Sequence, residues 1–307
     1  MSAAIDAHLE RFKRDGCTVL PGFLSEDEVL ALRSRIKELL AEFDPSDHPM
    51  TTFSTGIKAR HIGDQYFFNS ADKVSYFLEE DAIKDGRLVV DRHRAVNKIG
   101  HGLHMQDTLF GELSSSQKVK EIAQRLGYED PRILQSMVIC KQPSIGGAVP
   151  LHQDSCFLYT KPLSACGFWF ALEDCTLTNG CLEFIPGSHL EAPISKRFVR
   201  KAENDGTEFV PIDPVFSLFP PTKDNNETAF PAAGAEGGES AQEKECVPIE
   251  VKAGSLVLIH GQVLHRSSHN YSDKSRWIYT FHIVEGGYEY DGRNWLQMPG
   301  GAELTKM

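Results

Sequence analysis

Apolar residues recur at two different periods along these 307 residues, and the change of period divides the chain. In the first part the spacing is helical. Val29, Leu32, Ile36, Leu39, Leu40 and Phe43 fall on one face and predict a helix over about 26–43, with Ser25 and Glu28 at capping-box spacing before it. Upstream, an amphipathic start carrying Leu9 and Phe12 leads into a β-prone run, Cys17-Thr18-Val19-Leu20, closed by Pro21-Gly22. Residues 44–64 hold Pro45, Pro49, Gly56 and Gly63 and read as loop. Tyr66, Phe67, Phe68, Tyr76 and Phe77 cluster within 66–84; this stretch reads as a packed helical segment, or as part of a pocket wall. The run from Asn97 to His104 mixes apolar and polar residues around two glycines, and Ser116 to Leu126 reads as a helix stopped at Gly127.

From Ile133 onward the runs are short and β-prone. Ile133–Lys141, Pro150–Asp154, Cys166–Leu172, Cys181–Ile185, Ser255–His260 and Trp277–Ile283 are six candidate strands, separated by turn residues such as Thr178-Asn179-Gly180 and Ala253-Gly254. Helices first and many short strands afterwards predict a mainly β, α+β fold: helical decoration on a β-barrel or jelly roll. A fold of this kind can occupy the whole length as one domain. Residues 1–130 would form a mainly helical part, 131–285 a jelly-roll core and 286–307 a tail.

Composition changes this picture in one place. Residues 203–245 carry ten acidic residues against Lys223 and Lys244, so most of the net charge of −11 belongs to that segment. Rich in Pro, Gly and Ala, 203–246 reads as a long acidic loop, a candidate lid or substrate-selecting element anchored by Val215-Phe216-Ser217-Leu218-Phe219. The absence of a basic stripe argues against nucleic acid as a partner. Seven cysteines without CxxC spacing suit a reducing compartment better than a disulfide framework. No apolar run reaches membrane-spanning length, the first residues lack a signal-peptide core, and the last residues are not Ser-Lys-Leu. Together these predict a cytoplasmic protein with no membrane partner; a monomer is the default.

The chemistry starts at His152-Gln153-Asp154. On a strand, His152 and Asp154 point to one face, and an imidazole with a carboxylate makes two-thirds of a metal site. A third ligand from a distant strand would complete a two-histidine, one-carboxylate face with open positions. His260 and His265 both follow the strong run at 256–259, and spacing alone leaves the choice between them open.

A wider pattern bears on that choice. Beyond His152-Gln153-Asp154 come His265, 111 residues after Asp154, and Arg276, 11 residues later. Around them stand Asp15-Gly16-Cys17-Thr18-Val19-Leu20-Pro21-Gly22-Phe23-Leu24, Asn179-Gly180-Cys181-Leu182-Glu183-Phe184-Ile185-Pro186-Gly187-Ser188-His189 and Ile259-His260-Gly261-Gln262-Val263-Leu264-His265. Tyr66-Phe67, Asp72-Lys73, Asn97-Lys98-Ile99-Gly100-His101, Gln135-Ser136-Met137 and Asn294-Trp295-Leu296-Gln297 extend the match over nearly the whole chain. This pattern resembles the phytanoyl-CoA dioxygenase family, whose members are iron- and 2-oxoglutarate-dependent oxygenases on a double-stranded β-helix, a cupin-like jelly roll.

The resemblance implies His152, Asp154 and His265 as ligands of Fe(II). It implies Arg276 as the partner of the far carboxylate of 2-oxoglutarate, and planar bidentate pairing suits a guanidinium to that role. Ser267 would add a hydroxyl, Lys98 a charge, and Met137 and Trp169 a wall to the cosubstrate site. The implied reaction converts 2-oxoglutarate and O2 to succinate and CO2 while hydroxylating a C–H bond of a small molecule or acyl derivative, with ascorbate as a stimulatory additive. Retention of Asp154 favours hydroxylation, because related halogenases lack this carboxylate.

Plainer readings stand beside these. His260 reads as a core histidine, His189 as a turn-holding one and Cys156 as packing. Lys196, Arg197, Arg200 and Lys201 read as a solvated loop face, although they could grip a phosphate. Two other functions share the same ligands: a metal-binding jelly-roll sensor without turnover, and a zinc- or manganese-dependent isomerase or hydrolase. Arg276 argues against the second, which needs no cation for a dicarboxylate.

Overall fold

The computed structural model of the chain describes residues 2–52, 64–203, 205–216 and 245–307, with side chains from residue 5 onward. Ser217, Leu218 and Phe219, most of the acidic segment and the proposed lid lie outside the described residues.

The first helical prediction holds because its signals are local. The helix Glu26–Glu42 starts where the Ser25 hydroxyl accepts from the Glu28 backbone N–H and the Glu28 carboxylate accepts from the Ser25 N–H. A cap of this kind stabilises by about 1 kcal/mol. Val29, Leu32, Ile36, Leu39 and Leu40 are its buried face. The helix Gln117–Arg125 stops before Gly127, whose φ of 93° is a conformation open to glycine.

Two antiparallel sheets face each other and make a jelly roll. The larger runs in the order Cys17–Leu20, Leu256–His260, Cys166–Ala171, Ile278–Glu285, Pro131–Ile139, Val96–His101, Val74–Leu78. The smaller runs Val247–Ile249, Leu182–Phe184, His265–Ser267, Val149–His152. Strand alternation sorts the large sheet into two faces. Phe168, Phe170, Leu256, Leu258, Tyr279 and Phe281 point outward and pack under the helices with Leu32, Ile36 and Leu39. Each such side chain contributes about 1.5–3 kcal/mol by leaving water. Trp169, Ala171, Val257, Ile259 and Ile278 point inward and meet Leu182 and Ile249 of the small sheet.

Long-range pairing overrides local pattern in two places. The aromatic stretch at 66–84 is helical only over Gln65–Phe68; Val74–Leu78 becomes a strand because Val96–His101 pairs with it. The segment read as loop from 203 onward contains the strand Thr207–Val215, which pairs with Ile194–Arg200. Its Pro211 and Pro214 are tolerated because a two-stranded ribbon leaves one edge of each strand unpaired. The basic group at 196–201 therefore lies mostly on a strand rather than on a solvated loop. Arg197 is buried and ion-pairs with Asp291 at 2.8 Å, while Arg200 donates to the Trp295 and Phe68 carbonyls. Finally, the strand at 149 ends at His152, and Asp154 opens a short 3-10 turn beyond it. No helix among the described residues is long and apolar enough to cross a membrane.

Candidate metal centre

The small sheet brings the two histidines together. His265 and His152 are register partners on adjacent strands, with ring centroids 4.2 Å apart. Asp154 reaches the same point from the turn, and one donor atom from each of the three lies within 4.8 Å of the others. The nearest approaches are 3.5 Å from His152 Nε2 and 3.7 Å from His265 Nε2 to Asp154 Oδ1.

Both rings are oriented in the same way. His152 Nδ1 lies 2.8 Å from the Pro150 carbonyl and His265 Nδ1 3.0 Å from the Val263 carbonyl. A carbonyl can only accept, so each Nδ1 carries the proton and each Nε2 lone pair is turned inward. This is the outer-shell arrangement that metal-binding histidines use. Burial would push the Asp154 carboxyl up, but the imidazoles around it outweigh that effect and hold it well below the usual carboxylate range. Burial and the neighbouring His152 lower His265 to about 4, so it is neutral at pH 7. For His152 burial opposes protonation, yet the hydrogen bond and charge of Asp154 raise it above its ordinary value. Two neutral-capable imidazoles and an ionised carboxylate on one side of a point fit a non-haem iron ligand set. The His152 side chain keeps 24% of its exposure, so the donor set is not sealed.

His260 is on the other face. It shares the outward parity of Leu256 and Leu258, and its ring packs 5.8 Å from Phe12 and 4.8 Å from His189. Burial takes its pKa down to about 3, consistent with a core histidine. His189 accepts the structural reading too, with Nε2 3.0 Å from the Lys13 carbonyl. Cys156 is buried, its thiol pushed up to about 11 by burial.

The other sequence candidates fall on the inner face of the large sheet in register rows. Trp169, Thr280, Met137 and Gly100 are successive cross-strand partners. Gly100 leaves room there, since a Cβ on it would come within 3.1 Å of the Met137 Cβ. Lys98 lies in the next row, paired with Ile139, and burial holds its amine well below the usual lysine range. Arg276 is 2% exposed, with its guanidinium carbon 5.5 Å from the centre of the Trp169 ring. Among the described residues no carboxylate pairs with it, and its Nε has no hydrogen-bond partner. A buried guanidinium in that condition calls for an anion. Ser267 is buried two residues beyond His265 on the same strand.

Sequence reasoning missed two residues. His282 Nε2 lies 3.1 Å from Asp154 Oδ2, and Lys141 Nζ donates to Ser267 Oγ at 3.1 Å. Parity was the available signal: His282 shares the strand face of Ile278 and Thr280, and Lys141 continues the face of Met137 and Ile139.

The family model of phytanoyl-CoA dioxygenase matches residues 12–278. The phytanoyl-CoA dioxygenase domain-containing protein 1 of Bos taurus is 42% identical over 306 residues, covering 97% of this chain and 96% of that protein. A protein named phytanoyl-CoA dioxygenase in Arabidopsis thaliana is 42% identical over 291 residues, covering 94% and 92%. Among solved structures, the epimerase SnoN in complex with Fe3+, alpha ketoglutarate and nogalamycin RO superposes with a TM-score of 0.61 at 17% identity, over 100% of this chain and 96% of that one. At that identity the likeness speaks for the fold. With the family model spanning most of the chain and two relatives at 42% identity, the chain belongs to the phytanoyl-CoA dioxygenase family of iron- and 2-oxoglutarate-dependent oxygenases.

Proposed function

We propose that this chain hydroxylates a C–H bond of a small molecule or acyl derivative, with 2-oxoglutarate decarboxylated to succinate and CO2. His152, Asp154 and His265 would hold Fe(II), which supplies the activation of dioxygen. Arg276 and Ser267 would take the far carboxylate of 2-oxoglutarate, with Trp169, Met137 and Lys98 lining the same inner face. The observation that carries this reading is the pairing of a compact two-histidine, one-carboxylate donor set with a buried Arg276 that has no carboxylate partner among the described residues. A zinc or manganese hydrolase would use the first feature and leave the second without a purpose.

The chain's own residues have definable tasks. The Pro150 and Val263 carbonyls aim the two imidazoles, and Asp154 contributes negative charge beside them. Trp169 covers the Arg276 guanidinium with an aromatic face, which keeps water from that cation. The reading takes residues 1–307 as one domain, supported by a large sheet that draws strands from both halves of the chain. A reducing, cytoplasmic setting is supported by seven free thiols, six of them buried.

The test is succinate formation from 2-oxoglutarate with Fe(II), ascorbate and oxygen, in the wild type and in His152→Ala, across a metabolite panel. Turnover in the wild type that disappears in the variant is expected. No succinate from the wild type under any condition overturns the oxygenase reading; binding of 2-oxoglutarate without its consumption would assign the chain to the sensing class.

A further inference from the structure

Lys141 has no role in the site as built so far, yet its side chain is enclosed and aimed. It is 2% exposed and follows the strand Pro131–Ile139 with a φ of 34°, a conformation that L residues seldom adopt. Two glycines make its channel. A Cβ on Gly146 would come within 2.7 Å of the Lys141 Cγ, and one on Gly180 would collide with its Cε. Nζ donates to the Gly147 carbonyl at 2.8 Å and to Ser267 Oγ at 3.1 Å. The Arg276 backbone N–H donates to the Lys141 carbonyl at 3.3 Å, which ties the two cations together.

That geometry fixes the direction of a proton. When Lys141 is protonated its Nζ has no lone pair left to accept with, so the Ser267 hydrogen points elsewhere and Ser267 is left as a donor. A hydroxyl donor, a guanidinium and an ammonium then converge on one buried region. Glu79 is the carboxylate whose charge reaches both cations, and burial raises it above the ordinary glutamate range.

We propose that Lys141 is a positioning residue of the 2-oxoglutarate site: it sets Ser267 as a hydrogen-bond donor to the far carboxylate and supplies a second positive charge beside Arg276. This rests on the cosubstrate reading of Arg276 given above. Its consequence is selectivity for 2-oxo acids with a carboxylate at the far end over those ending in an alkyl group. Without an anion beside it, burial and then Arg276 push the Lys141 amine down to about 6. The charged or ionisable groups facing it are Arg276, Glu79 and Cys181. An arriving carboxylate would restore the proton, so binding takes one up.

The experiment is calorimetric titration of 2-oxoglutarate, and separately of 2-oxovalerate, into the Co(II)-loaded protein without oxygen. Wild type, Lys141→Met, Ser267→Ala and the double variant are compared. Lys141→Met is expected to keep its Co(II) affinity and to bind 2-oxoglutarate about 10- to 100-fold more weakly, the range for a hydrogen bond to a charged group. Its affinity for 2-oxovalerate should match that of the wild type. Ser267→Ala should cost less in the Lys141→Met background than in the wild type. Should Lys141→Met fail to fold, Ser267→Ala alone is compared with the wild type, and weaker binding of 2-oxoglutarate with unchanged binding of 2-oxovalerate is expected, since Lys141 acts through that hydroxyl. A folded Lys141→Met with wild-type affinity, or a Ser267→Ala that binds 2-oxoglutarate as the wild type does, overturns the role of Lys141 alone. A wild type that binds no 2-oxoglutarate overturns both this role and the function on which it rests.

Discussion

His282 Nε2 lies 3.1 Å from Asp154 Oδ2, whereas the imidazoles of His152 and His265 approach Oδ1 of the same carboxylate. Gln135 Nε2 lies 3.4 Å from the other ring nitrogen of His282 and extends the contact across the sheet. Gly167 makes the space: a Cβ there would stand 3.3 Å from His282 Nε2. One carboxylate oxygen is therefore held by the scaffold while the other stays with the donor set. His282→Phe should lower Co(II) affinity about 10- to 100-fold, the range seen when outer-shell partners of metal ligands are removed. Calorimetry of Co(II) binding checks it, and an unchanged affinity in a folded variant would show that Asp154 orients itself without help.

Arg276 is buried against Trp169 with no carboxylate partner among the described residues. Arg276→Ala should raise the KM for 2-oxoglutarate by about 100-fold or more, since the planar fork makes two charge-assisted bonds that water cannot replace in a buried site. Turnover should return in part at high 2-oxoglutarate. Arg276→Lys should not rescue the KM, because a point charge on a shorter reach cannot reproduce the fork. Equal KM values for wild type and Arg276→Ala would place the far carboxylate elsewhere.

The affinity for 2-oxoglutarate should depend on pH through Lys141. Burial and Arg276 lower its amine to about 6, while a bound carboxylate would move it back toward its ordinary value. Between those two values the complex holds a proton that the free protein lacks. Binding therefore tightens as pH falls from about 9 toward 7, and the trend flattens near 6 where the free protein is protonated too. Measured on Co(II)-loaded protein, a dissociation constant that is flat over pH 7–9 would count against the shift.

What could be read in the chain and what could not divide along one line. The Ser25–Glu28 cap, the helix behind it and the runs at 166–172 and 255–260 were legible because their signals are confined to a few neighbouring residues. The ribbon of Ile194–Arg200 with Thr207–Val215 was not, since its prolines and acidic residues argue locally for loop and only the partner strand makes it β. The strand Val74–Leu78 failed for the same reason. At the site, residue spacing alone left His260 and His265 undecided, and the family resemblance favoured His265. Alternation bears on the choice too: His260 shares the face of Leu258, which packs under the helices, whereas His282, beside Asp154, shares the opposite face with Trp169. Lys141 and His282 were open to the same parity argument.

The thiols provide a test of the packing that is independent of the metal. Cys17, Cys140 and Cys166 are fully enclosed, and burial pushes their thiols far above the ordinary range; it takes Cys175 up to about 12 and Cys156 to about 11. Reactivity follows the thiolate and its access, so these side chains should be inert in the native protein. Cys246 keeps partial exposure and its thiol is raised less, which makes it the thiol open to reagent. In a native titration with a chromogenic disulfide reagent at pH 8, about one thiol should react within minutes, and Cys246→Ser should remove that phase. In denaturant all seven cysteines of the sequence should react. A native burst of three or more thiols would mean that the core between the two sheets, which Cys17, Cys175 and Cys181 help to fill, is open to solvent.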